Sequence, residues 1–181
     1  VTIAWVLGGG GLSPARAQPL FNGLLTGHIG AAHGGDVRGA TAAPGLSLAV
    51  IDQSGLGAEL DLWHVLSLDG AEQDRSSATA LMLGFTAVFA HHERIRPFLV
   101  VNAGVLRVRA LLDGDSRATR TDPAIGGGAG VSYVLNELFQ IRGDIRYVRH
   151  LQRQAALAPI AKGHFDLWRT SVGLTYVWPV P

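Results

Sequence analysis

From Leu24 onward, apolar side chains recur at every second position rather than every third or fourth, which is the period of a β-strand with two unlike faces. Residues 138–149 show it best. Phe139, Ile141, Gly143, Ile145 and Tyr147 fall on one face, and Gln140, Arg142, Asp144 and Arg146 on the other; a helix would mix the two sets. Residues 56–65 repeat the design, with Ala58, Leu60 and Leu62 opposite Gly57, Glu59 and Asp61. Trp63 falls on the charged side there, which suggests a bulge or a place at a barrel rim. In residues 124–135, Gly126, Gly128 and Gly130 share a face with Ser132, while Ala129, Val131 and Tyr133 oppose them. The last segment sets Val172, Leu174, Tyr176 and Trp178 against Arg169, Ser171, Gly173 and Thr175. Residues 24–33, 45–52, 78–90 and 98–109 complete a set of eight strands. In residues 98–109 the alternation slips near Leu106 and leaves the parity open.

Most of these strands approach the 9 to 11 residues that a tilted strand needs to cross a bilayer. Their connections alternate in length: short around 53–55, 91–95 and 136–137, long and polar at 34–44, 66–77, 110–123 and 150–163. Short turns at one end and long loops at the other is the layout of outer-membrane barrels, and an even strand number puts both chain ends on the short-turn side.

Composition narrows the field. The 181 residues hold no Cys and 24 Gly, with 48% hydrophobic and 16% charged residues. That is one domain's worth of chain, and disulfide scaffolds, Cys-based zinc sites and thiol nucleophiles are excluded. Fifteen Lys and Arg against 14 Asp and Glu give a net charge of +1, without the basic excess by which nucleic-acid binders displace counterions. Beyond the N-terminus no run reaches the roughly 18 uncharged apolar residues of a membrane-spanning helix. Residues 1–17, apolar and ending Ala15-Arg16-Ala17, read as a secretory signal cleaved before Gln18, although no basic start precedes them. Removing them leaves 181 − 17 = 164 residues, 18–181, as the folded domain, and a charge of 14 − 14 = 0.

Alternation alone does not say which face is inside. The run Ser171-Val172-Gly173-Leu174-Thr175-Tyr176-Val177-Trp178 has the order polar-x-Gly-x-x-apolar-x-apolar. It resembles the C-terminal signal by which outer-membrane assembly machinery recognises its barrels, with Ser171, Gly173, Tyr176 and Trp178 at the matching positions. The tail Pro179-Val180-Pro181 departs from the usual aromatic end. More widely, residues 24–178 resemble the small eight-stranded outer-membrane barrels, the OmpA-like and OmpX-like β-barrel domains. The likeness is most specific at Arg96-Pro97-Phe98 with Asn102-Ala103-Gly104, at residues 126–133, and at residues 138–149 followed by Phe165-Asp166-Leu167-Trp168-Arg169.

The resemblance implies an all-β fold, an eight-stranded antiparallel up-and-down transmembrane β-barrel in the outer membrane of a Gram-negative bacterium. The polar faces then line a lumen in which Glu59, Asp61 and Asp144 balance Arg142, Arg146 and Arg169, glycines make room for the arginines, and no open pore remains. Trp168, Tyr147, Tyr176 and Trp178 would form aromatic girdles. Implied partners are outer-membrane lipid and lipopolysaccharide, the barrel-assembly machinery during insertion, and surface ligands reached through the long loops; no cofactor is implied. The role expected is structural or surface-interacting and non-enzymatic. The alternatives are a soluble secreted barrel of lipocalin type carrying a small apolar ligand and, behind it, a lipid-modifying outer-membrane enzyme.

Other motifs have plainer readings. Arg142-Gly143-Asp144 spells an integrin-binding tripeptide but lies inside an alternating strand. His91-His92 lacks a third metal ligand, and Asp113-Gly114-Asp115-Ser116 lacks the remaining carboxylates of a calcium loop. Residues 8–11 and 126–128 are Gly-rich without the Lys-Ser/Thr and helix of a phosphate loop. For acyl hydrolysis, His150 and His164 flank the last long loop, and only Ser171 follows them, in mid-strand.

Overall fold

The computed structural model describes residues 21–34, 37–67, 76–90, 92–111, 117–151 and 166–180; the segment read as a signal lies outside them. Within them are β1 (Phe21–Gly34), β2 (Val37–Ala42), β3 (Gly45–Asp52), β4 (Leu56–Val65), β5 (Ser76–Val88), β6 (Ile95–Leu111), β7 (Arg117–Val134), β8 (Phe139–His150) and β9 (Asp166–Val180). Sequential neighbours pair antiparallel in the order β3 to β9, β3 pairs with β1, and β9 returns to β1 from Phe21↔Val180 to His33↔Trp168. The sheet is closed and has no free edge along the barrel.

Nine segments make eight staves, because β2 and β3 are one stave interrupted at Ala43-Pro44. Gly30 and Ala43 still exchange both backbone hydrogen bonds, at 3.1 and 2.8 Å, and His64 N donates to Pro44 O at 2.9 Å. Proline has no N–H to give, so the ladder lapses for one residue. This corrects two expected loops. Residues 34–44 are mostly hairpin, with Val37 and Ala43 buried inward, and in 110–123 the strands β6 and β7 run on to Leu111 and from Arg117.

The register fixes the barrel's dimensions. Following paired residues once around, Asn22, Ile51, Gly57, Thr86, Val100, Gly128, Arg146, Arg169, the line returns to β1 at Ala32, ten residues above its start. Eight staves with a stagger of ten tilt by about 40° and enclose a radius of about 8 Å. Such an interior is just wide enough for side chains to fill or for one small ligand to occupy.

The short turns are tightly built. Asp52 Oδ1 accepts from Ser54 N at 2.8 Å and Leu56 N at 3.0 Å, and Gly55 takes φ +88°, a conformation that favours glycine. Asn136 Oδ1 likewise accepts from Leu138 N and Phe139 N, both at 2.9 Å. Phe21 and Val180 meet at this same end.

The open parity of β6 is resolved: Phe98, Val100, Leu106 and Val108 are all buried inward, and Arg107 and Arg109 point out. What changes at Leu106 is polarity, not phase. One register line reads Leu62↔Leu81↔Val105↔Pro123 outward; two residues higher it reads His64↔Thr79↔Arg107↔Thr121. Inside, the change is reversed. Glu59, Asp61, Arg142, Asp144 and Arg146 occupy the lower and middle lumen, while Ala32, Val65, Ala78, Ala80, Leu106, Val108, Val148 and Leu167 form an apolar core above them. The upper barrel is thus mainly apolar inside, with Asp122 and His150 buried among these residues, and polar outside; the lower barrel is apolar outside and carries the charged layer inside, beside a small apolar cluster of Leu24, Ala49 and Ile51.

Candidate functional site

The lumen is where the sequence concentrates its charge. Glu59 and Asp61 project from β4, Arg142, Asp144 and Arg146 from β8, and Arg169 from β9. With eight staves, β4 and β8 lie diametrically opposite, so their ion pairs cross the bore. Arg142 Nη2 donates to Glu59 Oε2 at 2.7 Å, and Arg146 Nη2 to Glu59 Oε1 at 2.6 Å. Arg146 also reaches Asp61 Oδ2 and Asp144 Oδ2, each at 3.2 Å. Arg169 Nη2 lies 2.8 Å from Asp61 Oδ2, and Ser171 Oγ donates to Asp144 Oδ1 at 2.8 Å. Three carboxylates meet three guanidiniums, all buried.

Each side chain is held by its surroundings. A Cβ at residue 128 would stand 2.8 Å from Arg146 Cγ, and one at residue 130 would run into the Phe98 ring. The inward glycines therefore make the space that the arginine and the phenylalanine occupy. Arg142 lies over that same Phe98 ring, 4.0 Å from its centroid. Arg169 lies 5.4 Å from the Trp63 centroid, so an aromatic face meets the guanidinium opposite its carboxylates. Trp63 is neither at a bulge nor at the rim. It sits in regular register, 2% exposed, where the charged layer meets the apolar core.

Three parts of the interior were not assigned to the lumen from sequence. His28 lies 3.1 Å from Asp61 Oδ1. In the upper lumen Asp122 takes Arg120 at 2.6 Å and His150 at 3.1 Å. Their signal was available: Arg120 and Asp122 continue the inward parity of Ala124 and Gly126, but were assigned to a loop. Below the charged layer a cavity of about 610 Å³ opens at the short-turn end, lined among others by Asn22, Thr86, Arg96, Phe98, Gln140 and Arg142.

Outside, Leu83, Phe85, Val101, Val172 and Leu174 are each more than half exposed. On β6 the outward apolar positions run from Ile95 to Val105, which at about 3.3 Å per residue and the tilt above spans about 25 Å of height, the height of the apolar band of an outer-membrane barrel. Aromatic rings gather at two levels. Tyr147 and Trp168 have centroids 5.1 Å apart, with Tyr147 Oη donating to Asp166 Oδ2 at 2.7 Å. Toward the short-turn end Phe139, Tyr176 and Trp178 follow one another at 5.7 and 6.0 Å. Of the C-terminal run, Tyr176 and Trp178 face outward. Ser171 and Gly173 face inward, and a Cβ on Gly173 would stand 2.8 Å from that of His28.

A lipocalin-type barrel has a polar exterior, and the exposed apolar belt is incompatible with it. Arg142 and Asp144 are enclosed, so the Arg-Gly-Asp tripeptide is not presented. Ser171 Oγ is engaged with Asp144. His91, His164 and residues 8–11 and 113–116 lie outside the described residues. Among the described residues no three His, Cys, Asp or Glu side chains converge as metal ligands.

Closed eight-stave sheet, apolar belt and ion-paired lumen together define an eight-stranded transmembrane β-barrel of the outer-membrane type. Solved structures with this fold include Neisserial surface protein A, at TM-score 0.67 and 16% identity, covering 86% of this chain and 96% of that one. The N-terminal β-barrel domain of Pseudomonas aeruginosa OprF matches at TM-score 0.62 and 12% identity, covering 89% and 100%. Ail of Yersinia pestis, solved in complex with the heparin analogue sucrose octasulfate, matches at 0.58 and 10%, covering 90% and 100%. At these identities the likeness is one of fold. No protein-family model matches the chain, and no curated protein sequence matches it.

Proposed function

We propose that this chain is an integral outer-membrane protein with a closed lumen, which serves the envelope structurally and presents its long-loop end to surface ligands without catalysing a reaction. The ion-pair layer from β4 to β8 carries this reading. It crosses the whole diameter, leaves the opposed charges balanced, and is backed by a largely apolar core in which Asp122 is itself ion-paired with Arg120 and His150. Removing one member of a buried pair is costly, so the layer resists opening. In the envelope the belt is solvated by lipid and lipopolysaccharide, and β9, with Ser171, Gly173, Tyr176 and Trp178, is the segment the barrel-assembly machinery would engage during insertion. The Ail complex with a sulfated saccharide analogue shows that a barrel of this fold can present a ligand site.

Planar-bilayer recording tests the closed lumen. The refolded protein is expected to give no stable conductance, and a large persistent current would overturn the reading. Recovery of the protein in a soluble periplasmic fraction without detergent would contradict the membrane placement separately.

A further inference from the structure

We infer that Arg107 and Arg109, on the outer face of β6 just above the apolar belt, form a binding site for the phosphate of an anionic lipid headgroup, lipopolysaccharide being the source. The inference rests on the outer-membrane reading and names a specific contact within it.

Arg107 and Arg109 are alternate residues of one strand, so both side chains leave the same face with Cα atoms about 7 Å apart. Two flexible guanidinium arms at that spacing can close on a single phosphate or on neighbouring ones. Each arginine is flanked on both sides by hydroxyl residues: Arg107 by Thr79 and Thr121, Arg109 by Ser77 and Thr119. His64 Nδ1 lies 2.8 Å from Thr79 Oγ1 and extends the polar row to β4. These six outward positions on β5, β6 and β7 carry no carboxylate. Among the described residues neither arginine has an ion-pair or hydrogen-bond partner, unlike the arginines of the lumen.

Height selects the ligand. The residues directly below, Leu81, Val105 and Ile125, are exposed and lipid-facing. A molecule whose acyl chains lie on that strip brings its headgroup level with Arg107. Guanidinium–phosphate contacts are charge-assisted and often bidentate, and Arg suits phosphate geometry better than Lys does.

The test uses the full chain refolded in micelles, titrated with diphosphoryl lipid A and with the same lipid A stripped of its phosphates, and read by native mass spectrometry. The wild type should favour the phosphorylated form by about tenfold or more, and Arg107→Gln/Arg109→Gln should lose most of that preference. Arg107→Lys/Arg109→Lys should keep part of it. Arg109→Gln alone provides a milder variant if the double one fails to fold, with folding checked by heat-dependent gel mobility. Equal binding of the two lipids by the wild type, or an unchanged preference in a folded Gln variant, would overturn the site. So would displacement of lipid A by a soluble sulfated glycan, which would assign the patch to a saccharide. A failure of bilayer insertion would be seen separately, because depth measurements at Val101 do not depend on either arginine.

Discussion

Glu59 is engaged by two guanidiniums from the far wall, and that makes it the most informative single residue in the lumen. Glu59→Ala leaves Arg142 and Arg146 short of a counter-charge in a closed space and should cost about 3 to 5 kcal/mol. Urea unfolding of the micelle-embedded protein, followed by tryptophan fluorescence, measures this; a loss under about 1 kcal/mol would mean that water already reaches the layer. Glycine positions give a second contrast. Gly130→Ala drives a methyl into the Phe98 ring and should destabilise by about 1 to 3 kcal/mol. At Gly27 an added Cβ meets nothing within 4 Å, so Gly27→Ala should shift the same transition by less than about 0.5 kcal/mol.

At the scale of the strand, height in the membrane decides what a substitution does. Val101 lies near the middle of the outward run from Ile95 to Val105, whereas Thr121 stands above it. Val101→Arg should therefore cost about 2 to 4 kcal/mol and Thr121→Arg about 0 to 1, both read from the same unfolding transition. Equal penalties would contradict the belt. Strand parity was legible in the sequence wherever polarity stayed constant along a strand, as in β8, where Gln140, Arg142, Asp144 and Arg146 alternate with apolar residues. It was not legible in β6. Leu106-Arg107-Val108-Arg109 alternates in the opposite sense to the residues before it, because the strand leaves lipid for water at that point and the preferred inside and outside residues exchange. The same exchange hid the upper end of β7, where Thr119 and Thr121 point outward and read as loop. Which carboxylate meets which guanidinium was also beyond the sequence, since residues 59 and 142 are joined by the closure of the barrel and by no local spacing.

For the whole molecule, the stagger of ten residues sets the radius, and the side chains lining the lumen change from mainly charged to mainly apolar near the height at which the exterior changes from apolar to polar. The barrel thus has a membrane part and a part that projects above the bilayer, folded as a continuous sheet. The chain has no Cys, so single cysteines can be introduced along β6 without background. Nitroxides at residues 99, 101, 103, 105, 107 and 109 in lipid vesicles, read by power saturation with oxygen and with a water-soluble nickel complex, report depth directly. Residues 99 to 105 should favour oxygen, and residues 107 and 109 should turn sharply to the aqueous reagent. Aqueous accessibility at 101 and 103 as high as at 107 and 109 would contradict the transmembrane barrel itself.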